Sequence, residues 1–145
     1  MKTNVILLVE DNPDDADLAK RAFEMGASRP TVALARDGVE ALDYLFGTGT
    51  YTSNPPGLPD VVLLDLKLPR VDGLEVLRRL RADERTRYLP IVIMTSSLRQ
   101  DDVEQSYALG ANSYVRKPVD FSQFLETANA LGAYWLTVNQ LIPRF

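Results

Sequence analysis

The segment "VVLLDLKLPRVDG", Val61 to Gly73, decides how the chain is read. Asp60–Leu64 is an apolar run with no polar face, the pattern of a strand at the centre of a parallel sheet, buried on both sides. Asp65 then sets a charge against the end of that run. Leu68-Pro69 and Asp72-Gly73 turn the chain away from it. A core strand by itself has no need of the acid.

The flanking sequence supplies the frame. Asp72 caps a helix with Glu75 three residues on, the capping-box spacing, and Val76, Leu77 and Leu80 form its inward side. Upstream, Thr48–Pro59 is turn-rich and polar, long for a connection inside a compact domain, and reads as an inserted surface loop. Val5–Val9 is a strand. Asn12-Pro13 caps and starts the next helix, with Asp14 and Asp15 in its first turn and Gly26 at its end. Thr31–Arg36 is a strand, and Asp37 with Glu40 opens a helix that stops at Gly47. Ile91–Met94 is a strand, followed by a helix from about Asp101 to Leu109. Ser113–Val115 is the fifth strand. Asp120, with Gln123 three residues later, caps a final helix drawn as far as Leu141. Five strands alternating with five helices define a doubly wound α/β domain with a parallel sheet.

Bulk composition narrows the function. The 145 residues are 46% apolar and 25% charged, enough for one domain around a single core. There is no Cys, which excludes disulfides and thiolate metal sites, and no His, which excludes Ser-His triads and His-type zinc sites. No run of about 18 apolar residues could cross a membrane. The start, Met1-Lys2-Thr3-Asn4, leads straight into the first strand without a signal-peptide pattern. The net charge is −4, and the one basic cluster, Arg78, Arg79 and Arg81, is too small for a nucleic-acid stripe. A cytoplasmic protein that binds neither nucleic acid nor membrane is expected.

In open α/β sheets, ligands sit beyond the carboxyl ends of the strands. Glu10 and Asp11 follow the first strand, Asp65 the third, Thr95 and Ser96 the fourth, and Lys117 and Pro118 the fifth. Three carboxylates held together repel one another unless a hard divalent cation such as Mg²⁺ joins them. With Mg²⁺, Lys117 and the Thr95 hydroxyl in place, the site could hold a phosphoryl group, and a carboxylate could accept it as an acyl phosphate.

The four motifs "LLVEDNPDD", "VVLLDLKLPRVDG", "IVIMTSS" and "YVRKPVD" together resemble the receiver domains of bacterial two-component response regulators. The spacing agrees, Thr95 and Lys117 lying 30 and 52 residues after Asp65. The resemblance covers essentially all of residues 1–145, read as one receiver domain without an output domain. It implies a flavodoxin-like sheet of order 2-1-3-4-5. It further implies Asp65 as phosphoacceptor for a sensor histidine kinase, with Mg²⁺ (or Mn²⁺ or Ca²⁺) held by Glu10, Asp11, Asp65 and the backbone carbonyl of Lys67. Thr95 and Lys117 would contact the phosphoryl group, and Tyr114 would rotate as Thr95 moves. A cis peptide between Lys117 and Pro118 would aim Lys117 inward, and Lys67 and Ser97 would tune dephosphorylation. Glu10 departs from the Asp that many receivers carry there.

The long loop before the third strand and the ending Tyr134-Trp135-Leu136 are most similar to single-domain regulators that partner bacterial phytochromes. The family also forms homodimers, and the overhanging end of the last helix offers Leu131, Tyr134, Trp135, Val138 and Leu141 for one. Two rival readings remain. One is a receiver-like binding module that is never phosphorylated. The other is an aspartate-based phosphohydrolase, which needs a second acid two residues after its nucleophile, where this chain has Lys67. Neither is favoured, and no enzymatic activity beyond the domain's own phosphorylation and dephosphorylation is expected.

Overall fold

The computed structural model describes residues 4–143; residues 1–3, read above as a lead-in to the first strand, lie outside them. The chain runs β1 (Val5–Val9), α1 (Pro13–Met25), β2 (Thr31–Ala35), α2 (Gly38–Phe46), β3 (Val61–Leu64), α3 (Gly73–Ala82), β4 (Ile91–Thr95), α4 (Gln100–Ala108), β5 (Ser113–Arg116) and α5 (Phe121–Ala133). The strands form one parallel sheet in the order β2-β1-β3-β4-β5. The expected topology is therefore the observed one.

The sheet is covered on both faces, as its uninterrupted apolar strands require. Val61 and Leu63 of β3 face α1 and α5, among Phe23, Phe124 and Ala128. Val62 and Leu64 face α2 and α3, among Leu45, Val76, Leu77 and Leu80. The anticipated caps form: Asn12, Asp37, Asp72 and Asp120 each accept backbone N–H groups at a helix start, relieving donors that have no partner within the helix. Among the described residues, no helix is long and apolar enough to cross a membrane.

Two glycines explain the second half of the segment quoted above. A Cβ on Gly73 would collide with the backbone carbonyl of Asp65, and one on Gly38 with that of Val71. The loop after Asp65 is thus wedged between the first residues of α2 and α3. It is tied there by Gly73 N–H to the Leu66 carbonyl at 2.8 Å and by Arg70 to Asp37 at 3.1 Å.

The structure corrects two expectations. First, α5 does not continue as one α-helix to Leu141. It ends at Ala133, passes into a single wider π-type turn over Tyr134–Val138, and is extended at Asn139. Trp135 and Leu136 fold back against the core instead of overhanging it, and Leu131 is buried within it. Burying those side chains on the chain's own sheet removes apolar area from water without a partner. Second, no cis peptide occurs among the described residues, so the Lys117–Pro118 bond is trans. The loop 48–59 lies largely at the surface, as read from the sequence, and is anchored at two points. It holds a 3₁₀ turn at Gly49–Tyr51, Tyr51 packs edge-on against Tyr44 at 5.3 Å, and Leu58 rests on the core. Pro55 and Leu58 help line a cavity of about 600 Å³, together with Tyr88 and Leu141.

Candidate functional site

The register of the sheet assembles the site. Val9 of β1 lies beside Leu64 of β3, so Glu10 and Asp65 leave their strands side by side. Backbone bonds extend the ladder by one residue there, Glu10 N–H to Ala35 at 2.9 Å and Asp65 N–H to Val9 at 3.1 Å. Thr95 is the last residue of β4, and Lys117 follows β5 with its N–H on the Thr95 carbonyl at 2.7 Å. Each functional side chain is therefore set by a strand end that packing has already fixed.

Lys117 is the electrostatic centre. Its Nζ lies 2.6 Å from Glu10 Oε1, 2.8 Å from Asp65 Oδ2 and 3.1 Å from Asp15 Oδ2. These contacts hold its side chain inward. Burial works against the charge on Lys117, but its hydrogen bonds with Asp65 and Glu10 outweigh that and raise its pKa above the ordinary value. Burial also raises the pKa of Glu10, against the pull of Lys117 and of the Asn12 N–H on its other oxygen at 3.1 Å.

One carboxylate oxygen from each of Glu10, Asp11 and Asp65 lies within 4.8 Å of the others, with Asp11 exposed at the rim. A donor set made only of oxygen suits a hard cation such as Mg²⁺ and offers nothing to a soft one. Thr95 is buried at the end of β4, the strand next to β3, and the Ser97 N–H lies 3.5 Å from its Oγ1. Tyr114 donates its hydroxyl proton to the Ser97 carbonyl at 2.8 Å, and the Ser97 hydroxyl bonds Asp102. Thr95, Ser97 and Tyr114 thus form one connected corner. The side chain of Lys67 is exposed, while its N–H lies 3.4 Å from Asp65 Oδ1.

All the residues predicted for the phosphoryl and metal sites therefore lie at one edge of the sheet. The predicted dimer set does not stay together on the surface: Leu131 is buried and Trp135 half-buried, whereas Tyr134 and Val138 are exposed. Two participants were missed. Asp15 was read only as a first-turn acid, and Asp102 was not singled out. Asp15 had a signal, because α1 starts four residues after β1 and its third residue must stay near the strand end.

The family profile of the response regulator receiver domain matches residues 6–129. The chain belongs to that family. A probable methanogenesis regulatory protein, FilR2 of Methanothrix harundinacea, is 42% identical over 94% of this chain and 86% of its own. The phosphorylated cyanobacterial phytochrome response regulator RcpA has a TM-score of 0.90 at 35% identity, covering 98% of this chain and 100% of its own. The bacteriophytochrome response regulator AtBRR is 46% identical with a TM-score of 0.76, over 100% of both chains. As a receiver related to phytochrome-associated regulators, the domain accepts a phosphoryl group and signals. The binding-module and phosphohydrolase readings are not favoured. Receivers bind Mg²⁺ or Mn²⁺ in an acidic pocket, and the Glu10, Asp11 and Asp65 group has the chemistry to hold one. Such a metal supplies positive charge against the oxygens of a transferring phosphoryl group.

Proposed function

We propose that Asp65 is the phosphoacceptor. In this reading a carboxylate oxygen of Asp65 attacks the phosphorus of a phosphohistidine on a sensor kinase. The new O–P bond forms as the N–P bond breaks, and the electron pair returns to the imidazole. Lys117 and the Thr95 hydroxyl neutralise and hydrogen-bond the phosphoryl oxygens. Asp11, Glu10 and the Lys67 carbonyl hold the metal, Asp11 most directly. Tyr114 rotates as Thr95 closes on the phosphoryl group, and the side chains of Lys67 and Ser97 set how long it lasts. The observation that carries the assignment is the 2.8 Å pairing of Asp65 with Lys117 at the end of the buried central strand. Asp65→Asn should take no label from acetyl phosphate and Mg²⁺ while keeping its circular dichroism spectrum. Stable labelling of that variant at the same site would reject the assignment.

The kinase is proposed to be of the bacteriophytochrome type, acting in the cytoplasm, on the strength of likeness to RcpA and AtBRR along nearly the whole chain. Phosphotransfer from a bacteriophytochrome kinase should then outpace transfer from an unrelated one. A second copy of the chain is proposed to cover the exposed Tyr134 and Val138. Light scattering with and without beryllofluoride tests this, and a monomer in both states would rule it out.

A further inference from the structure

Asp15 makes a contact with Lys117 that the first-turn position alone does not explain. A helix start favours acids in general, and Asp14, one residue earlier, meets that preference while exposed. Asp15 instead reaches back over the sheet edge to the Nζ of Lys117 at 3.1 Å. Its backbone is held for this by its N–H bond to the Asn12 side chain, also at 3.1 Å. An ammonium has three N–H donors, and this one faces three carboxylates, those of Glu10, Asp65 and Asp15. Lys117 donates to Asp65 and Asp15 and is ion-paired with Glu10, so Asp15 holds a donor that an arriving phosphoryl group would compete for.

The three partners are not equally free to leave. The side chains of Glu10 and Asp65 are only 5% and 8% exposed, whereas that of Asp15 is 32% exposed. Releasing Glu10 would strand a buried charge, which is costly. Asp65 is the reacting group. Asp15 can turn into water at small cost, because partly exposed ion pairs are weak.

Resting on the assignment of Asp65 above, we propose that Asp15 is a positioning residue that restrains phosphorylation. It occupies a donor of Lys117 in the resting site and gives that donor up when the phosphoryl group arrives. Asp15 touches neither the phosphorus nor the leaving group, and it acts only through Lys117.

The test compares wild type, Asp15→Asn and Asp15→Glu for the rate of phosphorylation by acetyl phosphate with saturating Mg²⁺. Asp65→Asn is the control, and thermal melts check folding. Asp15→Asn should phosphorylate about three- to five-fold faster, the scale of losing one partly exposed ion pair. Asp15→Glu, which keeps the charge, should restore a rate near wild type. A rate for Asp15→Asn at or below wild type overturns the proposal. So does equal acceleration in both variants, since shape and not charge would then be the cause. Either result, with Asp65→Asn still unlabelled, leaves the phosphoacceptor assignment standing. Labelling of Asp65→Asn would instead remove that assignment.

Discussion

Two half-buried cations sit at opposite ends of the sheet, and they are held in opposite ways. Lys117, at the carboxyl ends of the strands, is surrounded by three carboxylates. Arg81, at the end of α3, is surrounded by neutral oxygens. Its Nε donates to the Gly110 carbonyl at 2.8 Å, Nη1 to those of Thr86, Arg87 and Leu89 at 3.2, 3.1 and 2.8 Å, and Nη2 to the Asn112 side chain at 2.8 Å. Burial lowers the pKa of Arg81, with no anion opposing it. The rigid, many-donor guanidinium is used here as a staple, tying α3 to the starts of β4 and β5. The compact ammonium of Lys117 sits where, on the proposals above, its partners change. Neutral carbonyls make a fixed joint, and a surplus of carboxylates makes a site with charge left over for a metal.

The largest expected effect tests the staple. Arg81→Met leaves several carbonyls without a donor, and at about 1–3 kcal/mol for each buried group not rescued by water, a loss of roughly 4 kcal/mol is expected in urea unfolding. Mg²⁺ should not change that loss. Lys117→Met leaves Glu10 and Asp65 facing each other without a cation and should cost about 2 kcal/mol in EDTA. Here Mg²⁺ should restore much of the loss, because it binds the folded site. If Mg²⁺ rescues both variants equally, the distinction between the two cations fails. The sign of the Lys117 contribution is set by its raised pKa: it is full below the ordinary value of 10.5 and is lost only as pH rises through the folded-state value. Unfolding free energy between pH 7 and 9 should therefore show no step from this group.

The smallest effect concerns a third arrangement, one at the surface. Hydrogen bonds from Arg78 and then Arg79 hold the carboxyl of Glu75 at a pKa of about 2, against an ordinary 4.5. Its contribution is present above 4.5 and fades as pH falls from there toward 2. Carboxyl NMR should find the low midpoint at low ionic strength, and 1 M salt should move it back toward the ordinary value. A midpoint that ignores salt would mean that these surface pairs are not held by charge.

The same contrast separates what could be read in the sequence from what could not. Asp65 was legible because a strand apolar at every position has a definite end, and a charge there needs a reason. Glu10, Thr95 and Lys117 followed because parallel strands put their carboxyl ends on one edge. The helix starts were legible because Asn12, Asp37, Asp72 and Asp120 use a local bond whose spacing is written in the chain. Arg81 was not, and it was read with Arg78 and Arg79 as a basic surface cluster. Its partners lie as far away as Asn112, and no local pattern announces carbonyls that need a donor. Asp15 was hidden for a different reason, since a sufficient local explanation concealed its tertiary one. The end of α5 was misjudged because periodicity marks which side chains are apolar, but not that Trp135 and Leu136 return to their own core.

The place of Asp65 at the end of β3 also has a meaning in terms of hydrogen exchange. All four residues of that strand are buried, and it is bonded to a neighbour on either side, β1 and β4. Amides in such a strand exchange only when the whole domain opens. The carboxylate proposed as acceptor is thus mounted on a strand that is buried at every position and paired on both sides, while Asp11 lies at the exposed rim and Asp15 in the first turn of a helix. The lifetime of an acyl phosphate there would be set by water and by its neighbours, and not by the chain coming apart beneath it.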